Sequence, residues 1–442
     1  MISIFNKNKS HGIHPPESNI SINKKIEKAP IPKQVILPLS QHIGAPSKSI
    51  IEIGDLVKTG QKIAEPGSYV SVPIHSTISG KVTKKIQTVS SVTSNVVEAI
   101  VIESDGKDEW IKTKKNNNPL DLSNDKLIKS IQDAGIVGLG GATFPTHVKL
   151  KPPPEKKIDT IIVNGCECEP YITSDNRLMI EHGKEIINGL KIMIKILGCN
   201  NAYIAIENNK PDAIKTINEH LKTIKKDEYQ IEVISLETQY PMGAEKTLLK
   251  RILAREVPIG GLPMDVGVVV QNISTLYAIY EALYLGKPLV ERVVTVSGEI
   301  NKPKNLLARF GTSSEEIIYY CGGIKQNANV MIFGGPMMGI SQVSLDTPIQ
   351  KGTNSIHIRR DEKETESNCI RCGSCIETCP MSLMPFMYVL LVKNKKYSDL
   401  KNYYIDNCVE CGSCSYGCPA KIPIVQYIKT GKSELLKRRS KK

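Results

Sequence analysis

No apolar run in these 442 residues approaches the ~18 that a membrane-spanning helix needs; the longest, 383–392, closes on Lys393. The N-terminus also lacks the apolar core and small-residue cleavage site of a secretory signal. Any membrane contact is therefore expected to be peripheral, and the compartment cytoplasmic. Aromatic residues are scarce, at 5% with one tryptophan, and they do not interleave with the basic runs. A net charge of +13 invites a nucleic-acid reading, yet without stacking platforms only salt-labile, non-specific binding is expected. At 40% hydrophobic and 23% charged the chain is globular in composition, and at ~100 to 200 residues per domain its length predicts several domains.

Twelve cysteines are plentiful, and in a reducing compartment they point to metal before disulfides. Cys369, Cys372, Cys375 and Cys379, followed by Pro380, spell C-x2-C-x2-C-x3-C-P, and Cys408, Cys411, Cys414 and Cys418 before Pro419 repeat it. This is the ligand pattern of two [4Fe–4S] clusters in which the fourth cysteine of each run serves the other cluster. The expected sets are Cys369, Cys372, Cys375 with Cys418, and Cys408, Cys411, Cys414 with Cys379. Structural zinc, the competing reading, has no use for three cysteines at this pitch before C-P. Two clusters sharing ligands pass single electrons, and the long linker, with its apolar stretch 383–392, predicts a helix-rich ferredoxin module. Cys199 and Cys321 read as small buried hydrophobes; Cys166 and Cys168 form a C-x-C for which a metal role is the minor reading.

Along the chain, residues 1–33 read as an extended polar arm. Short β-branched runs and turn signals across 34–111 predict a small β sandwich. Its phrases 54–64 and 73–82 resemble the halves of biotinyl and lipoyl carrier domains, but 65–71 offers no lysine to modify, so swinging-arm chemistry is excluded. His42 and His75 read equally as surface or core. From 119 to 288 helices over 124–134, 178–197, 211–224, 245–253 and 274–285 alternate with strands over 158–163, 202–206, 230–235 and 266–270. That alternation predicts a mostly parallel α/β domain with ligands at the carboxyl ends of its strands. A second β-rich domain is expected over 289–345, the ferredoxin module over 346–430, and a solvated basic tail over 431–442.

Four small-residue or amide-rich spots fall at strand ends or helix starts: Gly138-Leu-Gly140-Gly141-Ala142-Thr-Phe144, Asn164-Gly-Cys-Glu167-Cys-Glu169, Tyr240-Pro-Met-Gly243-Ala-Glu245, and Gln271-Asn272-Ile-Ser-Thr275. The first is neither a dinucleotide fingerprint, since Thr143 stands where the last glycine should be, nor a P-loop. It would still expose backbone N–H groups to a phosphate. In this order and wording the four resemble the flavin-binding 51-kDa subunit of respiratory complex I. They resemble still more closely the RnfC (RsxC) proteins of Rnf (Rsx) ion-translocating ferredoxin:NAD oxidoreductases, a likeness that extends from His11-Gly-Ile-His14-Pro through Gly334-Gly-Pro-Met-Met-Gly339 to both cysteine runs.

The resemblance implies a barrel-sandwich, a flavin domain, a β-grasp-like domain and a ferredoxin. It implies FMN held by Gly138, Gly140, Gly141 and Lys149, with Asn164, Glu167, Tyr240, Gly243, Asn272 and Thr275 completing the pocket, and NADH meeting the flavin near Phe144 and Glu245. It also implies integral-membrane and ferredoxin-like partner subunits, on the cytoplasmic side of the inner membrane. Departures from the complex I pattern are Cys166 for an acid, Ala244 for the first of two glutamates and Leu150 for a tryptophan; the first two fall where nicotinamide nucleotide would be recognised. The alternative is a soluble flavin/iron–sulfur NADH reductase of the diaphorase or cobalamin-reductase type.

Overall fold

The computed structural model describes residues 11–17, 20–90, 96–199, 201–223, 229–362 and 364–439. Alternating side chains build the first layer. Val35, Leu37, Val82, Ile100 and Ile102 point inward from a sheet ordered Gln34–Pro38, Val96–Ser104, Gly80–Val89, Leu56–Val57. Ile63, Ala64 and Ile74 meet them from a second sheet ordered Lys48–Ser49, Lys62–Glu65, Ile74–His75. Where a carrier domain would present its lysine, Tyr69 instead offers its carbonyl to His147 Nε2 at 3.1 Å, docking the loop on the next domain. His42 and His75 are both core residues, and burial pushes their pKa values down, to about 4 and about 3.

Four parallel strands follow, ordered Gln230–Leu236, Asn201–Glu207, Thr160–Gly165, Val268–Asn272. Ile161, Ile162 and Val163 are wholly buried, as a sheet covered on both faces requires. The helix expected over 178–197 is two, Ser174–Glu181 and Gly183–Leu197, because the backbone leaves helical geometry at His182. The second packs so closely on Ile273–Leu285 that a Cβ on Gly189 would lie 2.1 Å from the Leu276 carbonyl oxygen.

Two expected boundaries move. The third sheet runs Ile26–Lys28, Lys304–Arg309, Glu291–Gly298, Ser355–Arg359, Val330–Phe333, Ile340–Gln342. Its edge strand comes from the N-terminal arm, and a central strand comes from beyond 345, so neither the arm nor the 289–345 block stands alone. Local pattern could not show this, because Ile26 pairs with Asn305. Asn305 seals the join from inside, donating to the Ser21 and Lys24 carbonyls at 3.0 and 3.1 Å.

The ferredoxin module packs the helix Pro385–Lys393 against Ile424–Arg439 over Tyr388, Leu400, Ile405 and Ile428. The basic tail is therefore helical as far as Arg439, not solvated coil. Leu435 is buried, Lys432 donates to the Cys408 carbonyl at 2.7 Å, and Arg438 lies 5.0 Å from the Tyr397 ring centre. Residues 440–442 fall outside the described residues. Among the described helices none is long and apolar enough to cross a membrane.

Candidate functional site

The glycine loop closes at its base through a Val137–Pro145 bridge and bonds from Gly138 N to Phe144 O (2.9 Å) and Thr143 N to Gly138 O (3.1 Å). From behind, Leu139 N donates to Thr275 Oγ1 at 2.9 Å, and Arg292 donates to the Leu139 carbonyl at 2.9 Å. With those bonds turned inward, Gly140, Gly141 and Ala142 are left at the open turn; the two glycines are exposed, and the three amides make no hydrogen bond among the described residues. Gly141 has φ +112°, and a Cβ there would meet nothing within 4 Å. Successive free N–H groups at an open turn suit a phosphate, so the loop fits the phosphate end of FMN.

The other expected groups gather at the carboxyl ends of the parallel strands. Asn164 donates to the Gly243 carbonyl at 2.8 Å and accepts from Cys166 N at 3.1 Å. Lys149 Nζ donates to Val270 O at 2.9 Å and pairs with Glu245 Oε1 at 3.2 Å. Asn272 caps the helix Ile273–Leu285 by accepting from Ser274 N at 2.9 Å, and its Cβ lies 3.3 Å from where a Cβ of Gly140 would be. Phe144 is half-buried on the returning limb of the loop. Gly140, Gly141, Lys149, Asn164, Gly243, Glu245 and Asn272 thus face one region.

Three expected residues do other work. Thr275 is fully buried and acts through the Leu139 amide. Glu167 caps the helix Ser174–Glu181, accepting from Ser174 Oγ, Asp175 N and Asn176 N at 3.1, 2.8 and 3.1 Å. Tyr240 is buried and turned toward the ferredoxin module, donating its hydroxyl to the Cys411 carbonyl at 2.6 Å. Sequence reasoning missed Asp175, which accepts from Asn272 Nδ2 and Ser274 Oγ at 2.6 and 2.5 Å. Its signal was Thr173-Ser-Asp175, a helix-start composition ahead of an apolar run. It also missed Arg292, which lies in a strand of the third sheet and nothing local marks. Burial pushes the Asp175 and Glu167 carboxyls up, with Arg292 as the opposing cation, itself lowered by burial to about 10.

The eight motif cysteines separate by surroundings. Cys379, Cys408, Cys411 and Cys414 line one cavity together with Leu383, Tyr388, Val425 and Ile428. Burial pushes the Cys408 thiol up to about 11 and Cys414 further, so four thiolates there need a bound cation cluster for compensation. Cys375 faces Cys418, Cys369 and Cys372, and Cys369 and Cys372 are exposed. Among the described residues no three His, Cys, Asp or Glu side chains converge on a single-ion position. Cys199 and Cys321 are buried bystanders.

Four family models match the chain in succession. The RnfC barrel sandwich hybrid domain matches residues 7–107, the Nuo51 FMN-binding domain 131–281, the SLBB domain 293–341 and the 4Fe-4S dicluster domain 368–422. The RnfC-type component of the proton-translocating ferredoxin:NAD(+) oxidoreductase complex of Clostridium ljungdahlii is 47% identical across 96% of this chain and 93% of its own length. The chain belongs to the RnfC family. The Na(+)-translocating counterpart of Acetobacterium woodii is 44% identical over 85% of each chain. The corresponding component of the ion-translocating oxidoreductase complex of Rhodobacter capsulatus is 40% identical over 85% of this chain and 73% of its own. A NAD+-reducing [NiFe]-hydrogenase solved in the H2-reduced state aligns over 70% of this chain and 62%, under two thirds, of its own, with TM-score 0.49 and 18% identity. As an RnfC-family member with both domain types, the chain is built for FMN and two [4Fe–4S] clusters.

Proposed function

We propose that this chain is the peripheral electron-input subunit of a membrane-bound, ion-translocating oxidoreductase, moving electrons between NADH and ferredoxin-type carriers. The observation that carries the reading is the contact from Tyr240 Oη to the Cys411 carbonyl, which sets the flavin domain against a cysteine of the shared cavity. FMN supplies conversion between hydride and single electrons. The protein's part is binding and placement: free amides at Gly140–Ala142 and the nearby Lys149 for the phosphate, Asn164 and Gly243 for the pocket wall, and Glu245 with Phe144 toward the nicotinamide.

Cys379, Cys408, Cys411 and Cys414 are assigned to the cluster nearer the flavin, and Cys369, Cys372, Cys375 and Cys418 to the outer one. The shared cavity of the first set and the exposure of Cys369 and Cys372 in the second support that order. Bound there, the two clusters would supply one-electron carriers, the first set of cysteines holding one on the flavin-domain side and the second set holding one toward a ferredoxin-like or integral-membrane partner on the cytoplasmic side. The named relatives, each one part of a larger complex, support such partners, and the RnfC-type sandwich argues against a soluble reductase. Anaerobic NADH titration with iron, sulfide and flavin quantification tests the reading. Roughly eight irons and one FMN per chain, all reducible by NADH, are expected; cofactors that stay oxidised under excess NADH would refute it.

A further inference from the structure

A cavity of about 80 Å³ with a mixed polar and apolar lining lies beside the flavin region, where the α/β domain meets the N-terminal arm. The strand Thr160–Gly165 runs out into Glu167, Cys168 and Glu169, and the neighbouring strand Asn201–Glu207 ends on Glu207; all four residues line the space. The arm contributes His14 and Glu17, both exposed, on the solvent side. A space of this size holds several waters at ~10–15 Å³ each.

Two of its carboxylates are already engaged. Glu167 caps a helix, and Glu169 accepts from Met337 N and Met338 N at 3.1 and 2.8 Å. Glu207 is different: it is 0% exposed, yet neither carboxylate oxygen has a hydrogen-bond partner. The Gln239 backbone amide points toward it and, with Lys210, favours its charged form. A buried carboxylate so sparsely bonded is expensive to maintain, and the fold keeps this one on a cavity wall. The ionisable groups around it are Cys166 and Cys168 from the strand-end loop, Lys210 from the start of the helix Pro211–Leu221, and Glu17 from the arm. Burial pushes its pKa up to about 7, so its protonation changes near neutrality.

The cavity and the flavin region share a wall, because Cys168 Sγ accepts from Gly243 N at 3.3 Å while Gly243 O accepts from Asn164. Oxidation of the nicotinamide balances as NADH → NAD+ + H+ + 2 e−. The clusters take the electrons and leave a proton behind. We propose that Glu207 is the proton-loading group of this site, receiving that proton through cavity water and passing it to solvent beside His14 and Glu17, or supplying it when electrons run the other way. This rests on the NADH reading.

The test uses the cofactor-loaded protein under anaerobic stopped flow, following cluster reduction by absorbance and proton release by an indicator dye after mixing with NADH. In the unaltered protein the two are expected together. In Glu207→Gln, release should lag reduction by ~10-fold or more at unchanged FMN content, and Glu207→Asp should restore it. Infrared difference spectra with labelled glutamate should show a protonated-carboxyl signal that changes on reduction and is lost in Glu207→Gln. Release in step with reduction in Glu207→Gln overturns the proposal. So does the absence of that infrared change in the unaltered protein, which decides the matter if the variant does not fold. An unaltered protein that NADH cannot reduce would instead fail the NADH reading, and this proposal with it.

Discussion

Arg292 is 3% exposed and ties three parts of the site from behind. Its guanidinium donates to the Leu139 carbonyl at 2.9 Å and to the Lys351 carbonyl at 2.5 Å, and it is the cation facing Asp175 and Glu167. Arg292→Met removes three side-chain hydrogen bonds, to the Leu139, Lys351 and, at 3.4 Å, Val293 carbonyls, with charge-assisted bonds worth about 1.5–3 kcal/mol each, and leaves Asp175 without the cation facing it, while Lys210 remains near Glu167. That loss is a sizeable share of the ~5–15 kcal/mol that holds a domain together. Arg292→Lys keeps the charge but reaches one carbonyl at a time, so about half that loss is expected. The second consequence concerns binding. Leu139 precedes the free amides of Gly140–Ala142, and releasing its carbonyl lets that turn relax, so FMN affinity should fall at least ~10-fold, equivalent to about 1.4 kcal/mol. Urea unfolding of the apoprotein followed by circular dichroism reads the first effect, and flavin-fluorescence titration reads the second. A variant that loses stability yet binds FMN as tightly as before would refute the claim that Arg292 holds the loop.

With the fourth cysteines exchanged as proposed, Cys418→Ser should damage the cluster of the first run and Cys379→Ser that of the second; electron paramagnetic resonance of each reduced variant should show the distant signal altered. Gly189→Ala forces a methyl against the Leu276 carbonyl and should cost about 1–3 kcal/mol in urea unfolding, with FMN affinity intact. Glu207 titrates at about 7 in the fold against 4.5 ordinarily, so the folded protein holds a proton that the unfolded chain releases. Its contribution to stability therefore falls as pH rises between those values, by at most about 3 kcal/mol at about 1.4 kcal/mol per unit. Glu207→Gln should flatten that part of the stability profile, measured by urea midpoints from about pH 5 to about pH 8.

What could be read in advance follows from how local each signal is. The cysteine runs carry their chemistry in spacing alone, and the strand–helix alternation carries the parallel sheet, down to the helix Glu245–Leu253, found at its expected bounds. Turn chemistry placed the glycine loop. It could not show that Thr275, three residues past Asn272 and inside the same helix, turns its hydroxyl into the core toward Leu139. Tyr240 illustrates the same limit: it sits in a flavin-family phrase, yet its hydroxyl reaches a carbonyl 171 residues away.

The groups that escape sequence reading are those whose meaning comes from burial. Arg292 is one charge among 58 Lys and Arg residues, and only the packing of a third-sheet strand against the glycine loop makes it a clamp. Glu207 ends a strand as many glutamates do, and only the cavity beside it, with its oxygens so sparsely bonded, separates it from a solvated acid. The net charge of +13, which invites a nucleic-acid reading, says nothing about either residue. The charge that matters at this site is buried, with Arg292 set against Asp175 and Glu167 behind the loop and Lys210 beside Glu207, its amide bonded to the Glu207 carbonyl. A surface count of lysines cannot reach it. Desolvation separates the two sets of groups, because a charge in water is cheap and interchangeable, whereas one out of water is tied to a particular partner or to a particular proton.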